Sequence, residues 1–270
     1  MRFCVLGSGS KGNATYIESG ATRILIDSGF SGKEIEQRLA RIGVEARNLS
    51  GILVTHEHSD HILGVAILSR RYKLPVWVNP LTFAAGEKIL HKVFACREFE
   101  SGVTFSFQDL EIHPYSLSHD AADPVGFTVR DDRAVVGLCT DTGAVSRLMG
   151  HRLGGCHGLV LECNHDPDLL KHGPYPPALK QRVRSQSGHL ANQEAASFLG
   201  TILHDGLEHV VLSHISETNN RHEMAREAVE NFLHARQREN GGRLSLPKIS
   251  LGWQDQVGEL VTISGNGQGC

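Results

Sequence analysis

Thr55-His56-Glu57-His58-Ser59-Asp60-His61 follows the apolar run Gly51-Ile52-Leu53-Val54, and the reading of the whole chain turns on this junction. A short apolar run bounded by polar residues reads as a buried strand. Its C-terminal end delivers three imidazoles and a carboxylate. Alternate side chains of an extended segment point the same way, so His56 and His58 can grip one ion together. Asp60 and His61, at the turn into a helix, can face a second ion close by. Imidazole with carboxylate is the ligand set of hydrolytic zinc, and also of manganese or iron. The alternative is a polar surface turn with incidental histidines. Four potential ligands within His56–His61, behind a buried strand, weigh against it.

Later strand ends supply further donors. His119 stands in Leu117-Ser118-His119-Asp120, Asp141 closes the run from Val135 to Gly143, and His214 follows Val210-Val211-Leu212-Ser213. Sheet enzymes commonly gather their sites at the C-terminal ends of strands. Each residue alone could equally cap or pack; beside the first cluster, they complete the shells of two ions.

Strands are expected at 3–6, 13–17, 24–27, 51–54, 75–78, 103–107, 110–114, 126–130, 134–138, 159–162, 209–212, 244–250 and 259–264. Helices are expected at Ser31–Ile42 with Ser31 as cap, and at 60–69, 82–94, 177–186, 192–204 and 217–238. Two strand-rich halves, each flanked by helices, imply two sheets face to face with helices outside, in one domain spanning residues 1–270. The Gly7–Asn13 stretch GSGSKGN resembles a phosphate loop, but it runs into strand residues and lacks the Gly-Lys-Ser/Thr ending.

Composition narrows the class further. The 270 residues carry 27 Lys plus Arg against 30 Asp plus Glu, so a nucleic-acid contact must come from a local patch. Cys4, Cys96, Cys139, Cys156, Cys163 and Cys270 form no closely spaced framework, which fits a reducing compartment. The opening MRFCVLGSGS has too short an apolar stretch for a signal-peptide core, and no run is long enough to span a membrane. A cytoplasmic protein without membrane attachment is expected, as a monomer or homodimer.

The pattern HxHxDH, followed by a lone His, an Asp and a final His, resembles the metallo-β-lactamase fold superfamily. Leu6–Ile17, LIDSG at Leu25–Gly29, LECNHD at Leu161–Asp166, SGHLANQEAA at Ser187–Ala196 and LSHISETNN at Leu212–Asn220 together resemble its YycJ/WalJ-type exonuclease branch, which is similar to ribonuclease Z. The resemblance covers nearly the whole chain. Ala191 departs from it, since that branch usually has serine there. The resemblance implies an α+β fold, a four-layer αββα sandwich with a dinuclear site at the edge of its two sheets. His56, His58 and His119 then form site one, Asp60, His61 and His214 form site two, and Asp141 bridges. It implies two divalent ions per chain, zinc or manganese with iron compatible, and DNA as substrate with RNA as the alternative. The implied reaction is 5′-to-3′ exonucleolytic hydrolysis of double-stranded DNA by a metal-bridging hydroxide that Asp60 orients. A small-molecule cyclic phosphodiesterase and a glyoxalase II-like thioester or lactone hydrolase share the same metal set.

By the same resemblance His189 contacts the scissile phosphate and protonates the leaving oxygen, held by Glu162. The residues alone leave other readings open. His189 could be a plain helix-start hydrogen bonder, with Asn192 as the candidate cap, and Glu162 a buried charge paired with Arg182 or Arg184. His165 either orients a ligand or binds phosphate. Lys180, Arg182 and Arg184 cannot all share one helical face, so only some reach the same phosphate track. Ser10 and Lys11 in the glycine-rich loop, and Ser216 and Asn219 after His214, are further substrate-contact candidates.

Overall fold

The computed structural model describes residues 1–265; Cys270 lies outside the described residues. Fourteen strands are β1 (Arg2–Gly7), β2 (Ala14–Ser19), β3 (Thr22–Ile26), β4 (Gly51–Leu53), β5 (Pro75–Val78), β6 (Ala95–Glu98), β7 (Phe105–Phe107), β8 (Leu110–Ser116), β9 (Val125–Arg130), β10 (Val135–Cys139), β11 (Gly158–Glu162), β12 (His209–Ser213), β13 (Lys248–Leu251) and β14 (Val261–Thr262). Helices are α1 (Gly32–Arg41), α2 (Ser59–Ile62), α3 (Val65–Tyr72), α4 (Pro80–Ala85), α5 (Glu87–Leu90), α6 (Arg147–Leu153), α7 (Pro167–His172), α8 (Pro177–Val183), α9 (Asn192–Ile202) and α10 (His222–Glu239).

The strands form two seven-stranded sheets, ordered β14-β1-β2-β3-β4-β5-β6 and β13-β12-β11-β10-β9-β8-β7. The pleat sends successive side chains to opposite faces, and here both faces are buried. Phe3 and Val5 of β1 enter the layer between the sheets with Val136, Leu138 and Val160 of the second sheet. Cys4 and Leu6 point the other way, onto Ile35 and Leu39 of α1. Leu159 and Leu161 of β11 pack outward against Phe198 and Leu199 of α9 and Val229 and Leu233 of α10. Three apolar layers therefore separate four structural layers, the αββα sandwich expected from the sequence. Burial on both faces is why these strands read as continuous apolar runs rather than alternating ones.

Several expected elements change at their ends. The expected 60–69 helix breaks between α2 and α3. There the Gly64 N–H donates to Ser28 O at 2.7 Å, and a Cβ on Gly64 would stand 2.1 Å from Phe30 O. The expected 82–94 helix breaks at Gly86, and its end gives way to a turn before β6. The last long helix starts at His222 rather than 217, because the Asn220 amide is committed to the Cys163 and Asn164 carbonyls at 3.0 Å each. Helices α6 and α7 and strand β6 are additions to the sequence-based reading. Among the described residues no helix is long and apolar enough to cross a membrane.

Candidate metal centre

Four strands are followed by a left-handed residue that is not glycine; one is Gln108 in the turn between β7 and β8, and the other three are Asp27 after β3 (φ 60°), Asp141 after β10 (φ 62°) and His214 after β12 (φ 52°). Each such residue costs about 1–3 kcal/mol, and such strain concentrates at functional sites. Short polar residues adopt this conformation most readily. All three are buried at one end of the sandwich, beside the His56–His61 loop. That loop is pressed onto the chain at Gly29, where a Cβ would lie 1.6 Å from Asp60 O, so glycine is required. Asn13 completes the junction, its N–H donating to Asp60 O at 2.7 Å.

Three groups of donors converge there. His56, His58 and His119 form one, His56, His61 and Asp141 a second, and Asp141, Glu162, His189 and His214 a third. Asp141 belongs to two of them. Its Oδ2 lies 3.3 Å from His61 Nε2, while Oδ1 lies 3.5 Å from His214 Nε2 and 3.9 Å from His119 Nε2. One carboxylate thus faces donors from both sides of the centre. Asp60 stands at the rim, its Oδ2 3.5 Å from His61 Nε2 and 3.2 Å from the Asn13 amide.

The surrounding residues select which imidazole nitrogen faces inward. His61 Nδ1 donates to Asp27 Oδ2 at 2.8 Å, and His56 Nδ1 donates to Thr55 Oγ1 at 3.0 Å. Thr55 in turn donates its hydroxyl to Asp27 Oδ2 and its backbone N–H to Asp27 Oδ1, at 2.8 and 2.9 Å. His119 Nδ1 donates to Gly188 O at 3.2 Å, and His214 Nδ1 to Glu162 Oε1 at 3.0 Å. These four histidines therefore turn Nε2 inward, that of His61 lying 3.0 Å from the Asn13 amide. Nε2 of His56 and of His214 is buried without a hydrogen-bond partner. Buried polar atoms are almost always paired; unpaired imidazole nitrogens facing a carboxylate fit a divalent cation. Fixing the tautomer through the other ring nitrogen is how metal-binding histidines are oriented.

Protonation follows from the same geometry. Burial drives His56 well below its ordinary pKa, helped by the charge of His61. Burial also works against a charged His61 and His214, but in each Asp141 together with a second carboxylate outweighs it. Asp27 helps hold His61 well above its ordinary value, and Glu162 helps raise His214 to about 9. Burial likewise opposes ionised Asp141, yet His214 and His61 hold it well below the carboxylate range.

Glu162, fully buried, is the second hub. Its Oε1 accepts from His189 Nδ1 at 2.7 Å as well as from His214, and its Oε2 accepts from the Thr142 N–H at 2.8 Å and the Leu190 N–H at 3.4 Å. Burial opposes its charge, but His189 and then His214 lower its pKa to about 2. Arg182 pairs with Asp120, and Arg184 is exposed at the end of α8, so pairing of Glu162 with either arginine is corrected. His189 is 16% exposed at its side chain against 3% or less for Asp141, His214 and Glu162, so it opens to solvent where they do not.

The helix-cap expectation changes as well. Ala191, not Asn192, is the N-cap of α9, and Glu194 closes half a capping box by accepting from the Ala191 N–H at 2.8 Å. Asn192 is buried, donating its amide to Asn220 Oδ1 at 3.0 Å. His165 is buried too, its pKa lowered to about 4 chiefly by burial, and its Nδ1 lacks a partner. Ser216 accepts from the Asn219 N–H at 3.1 Å, and Asn219 is buried. Ser10 is exposed, and Lys11 Nζ pairs with Glu217 Oε2. Asp27, Thr55, Asn13, Ser8 and Asp120 are site neighbours that the sequence reading did not single out. Ser8 Oγ accepts from the His214 N–H at 2.8 Å. A carboxylate directly after the apolar run Ile24–Ile26 was the available signal for Asp27.

Two apolar-cored sheets with a histidine–carboxylate centre at their edge define a class of metallohydrolases. The model of the beta-lactamase superfamily domain matches residues 22–215, and the chain belongs to that superfamily. Within it, the chain is 38% identical over 235 residues to exodeoxyribonuclease YycJ of Bacillus anthracis, covering 86% of this chain and 89% of the relative. Exodeoxyribonuclease WalJ of Streptococcus pneumoniae is 39% identical over 237 residues, covering 86% and 88%. Among solved structures, the metallo-β-lactamase fold protein YhfI from Bacillus subtilis superposes with a TM-score of 0.72 at 16% identity, over 96% of this chain and 99% of that one. The homology and the ligand clusters make this chain a metal-dependent phosphodiester hydrolase.

Proposed function

We propose that the chain is an exodeoxyribonuclease that degrades double-stranded DNA from the 5′ side, with residues 1–270 as one catalytic unit. The observation that carries this reading is His189, partly exposed beside the buried donors and backed by Glu162 at 2.7 Å. A thioester has a good leaving group, a thiolate, and needs no such partner. The deoxyribose oxygen expelled from DNA is a poor one and gains from an acid, typically by about 10²–10⁴-fold. The likeness to the two exodeoxyribonucleases supports DNA over RNA.

His56, His58 and His119 would hold one divalent ion, Asp60, His61 and His214 another, and Asp141 both; zinc or manganese suits these donors. Bound ions supply charge neutralisation on the phosphate oxygens and a nucleophile at neutral pH. Asp27, Thr55, Gly188 and Glu162 hold the imidazole rings so that little reorganisation is needed. Asp60, at the rim, orients the attacking group, and His189 gives its proton to the departing oxygen from Nε2 while Glu162 steadies the resulting charge pattern from Nδ1. Ser216, Arg182 and Lys11 border the phosphate path.

The test is an end-labelled panel of duplex DNA, single-stranded DNA, RNA, a cyclic nucleotide and a thioester, run with zinc and with manganese. Mononucleotide release from the 5′ end of duplex DNA, ahead of the other four, is expected. Preferential turnover of the cyclic nucleotide or thioester would overturn the reading.

A further inference from the structure

The connector from Arg182 to His189 is laid across the ligand loops. Ser118 Oγ donates to Gln186 O at 2.7 Å, His119 Nδ1 donates to Gly188 O at 3.2 Å, and the His189 N–H donates to Val183 O at 2.9 Å. A Cβ on Gly143, two residues after Asp141, would stand 2.3 Å from Ser185 O, so the connector is also in van der Waals contact there. The backbone that presents His189 is thus fastened by several independent contacts. One further contact lies outside them. Arg182 Nε donates to Asp120 Oδ2 at 2.5 Å, and Asp120 Oδ1 lies 3.4 Å from His119 Nε2.

That pair is half exposed, 54% for Arg182 and 36% for Asp120. Exposed ion pairs contribute little to stability, so fastening an already fastened loop is a poor account of it. What the pair does order is the guanidinium. The Nε edge is taken by Asp120, and no hydrogen bond engages either terminal Nη among the described residues. A planar fork with one edge tied presents its remaining N–H groups in a fixed direction, the geometry that suits a phosphate. The Asp120 carboxylate thus links the guanidinium to the inward nitrogen of His119. Of the neighbouring basic residues, Lys180 Nζ donates to Lys171 O at 2.8 Å and Lys11 pairs with Glu217, while Arg184 is exposed at the end of α8.

We propose that Asp120 is a positioning residue that holds Arg182 at the lip of the centre to grip the phosphate next to the scissile one. The inference rests on the nuclease reading and deepens it, because it names the strand contact that places the scissile bond. It carries an unusual sign. By charge alone, removing an acidic group beside a phosphate path should tighten DNA binding. If Asp120 pre-orders Arg182, removing it should weaken binding, because the freed side chain must be ordered by the DNA instead.

The experiment measures binding of the full-length, metal-loaded protein to a short 5′-phosphorylated duplex with phosphorothioate linkages at its ends, across a salt series. Arg182→Ala should lower the slope of log affinity against log salt by about 0.9, one phosphate contact. Asp120→Ala should weaken binding roughly two- to tenfold, the cost of ordering one rotamer-rich side chain. Asp120→Asn, which retains an acceptor for Nε, should recover most of that loss. On DNA both alanine variants should raise KM more than they lower kcat. On a nitrophenyl phosphodiester, which has no neighbouring phosphate, their losses should be at least threefold smaller. Tighter binding by Asp120→Ala makes Asp120 a competitor for Arg182 and overturns the proposal. Equal losses on both substrates, or loss of bound metal, make the pair structural and overturn it too. Wild-type protein that fails to bind the duplex overturns the nuclease reading itself, whereas a bound wild type with indistinguishable variants overturns only this inference.

Discussion

Replacing Glu162 by glutamine tests the hub of the centre with one atom changed. All four contacts to this carboxylate come from donors: Nδ1 of His189 and His214 at one oxygen, the N–H groups of Thr142 and Leu190 at the other. A glutamine amide keeps one acceptor and adds two donors. Whichever way it turns, two buried donors lose their partner, each at about 1–3 kcal/mol. If the amide nitrogen faces the imidazoles, His214 can escape by moving its proton to Nε2, but Nε2 is then unable to ligate. The variant must therefore give up about 2–6 kcal/mol of stability, or the second ion, or both. Urea unfolding of the metal-free protein reads the first, and elemental analysis of the loaded protein the second. Turnover on DNA at saturating metal should fall by about 10²–10⁴, the worth of a positioned acid. His189→Ala isolates that part: it should match the loss on DNA, keep two ions, and lose much less on an activated nitrophenyl diester. Glu162→Gln with stability within about 0.5 kcal/mol of wild type, both ions and most of its turnover would refute the shared-carboxylate reasoning.

Asp141→Ala should abolish hydrolysis and lower the metal content measured by elemental analysis, while circular dichroism keeps the fold signature of the apolar strands; retention of a tenth of the activity would exclude a bridging role. Ala191→Ser supplies the missing acceptor at the N-cap of α9, and thermal unfolding should show a gain of about 0.5–2 kcal/mol; no gain would mean that residue 191 is not the cap. In the metal-free protein His214 has its folded pKa raised to about 9 above an ordinary 6.5, and its contribution to stability is fully present below pH 6.5. Urea titrations should show that contribution lost as pH rises through 9, and metal affinity should rise over the same window as the proton leaves. A metal affinity flat from pH 6.5 to 9 would contradict the protonated His214.

The residues from Thr55 to His61 sit behind a strand that both faces bury, so their clustering was legible without coordinates. Likewise, His119, Asp141 and His214 each terminate an apolar run, and a strand end is a place that periodicity can locate. The motifs around Glu162 and His189 carried their pairing only through resemblance. What remained illegible depends on contacts between segments far apart in the chain. Asp27 reaches His61 across 34 residues, and Asp120 reaches Arg182 across 62. The break at Gly64 answers to packing against Ser28 and Phe30 rather than to local propensity, and the cap of α9 falls one residue early because Asn192 is drawn into the core by Asn220. The sequence by itself determined the four layers and the donors, because burial periodicity and ligand chemistry are local properties of the chain. Only the tertiary structure decided which ring nitrogen faces the centre, which carboxylate serves two histidines, and which arginine stands at its lip, because those follow from distances between elements.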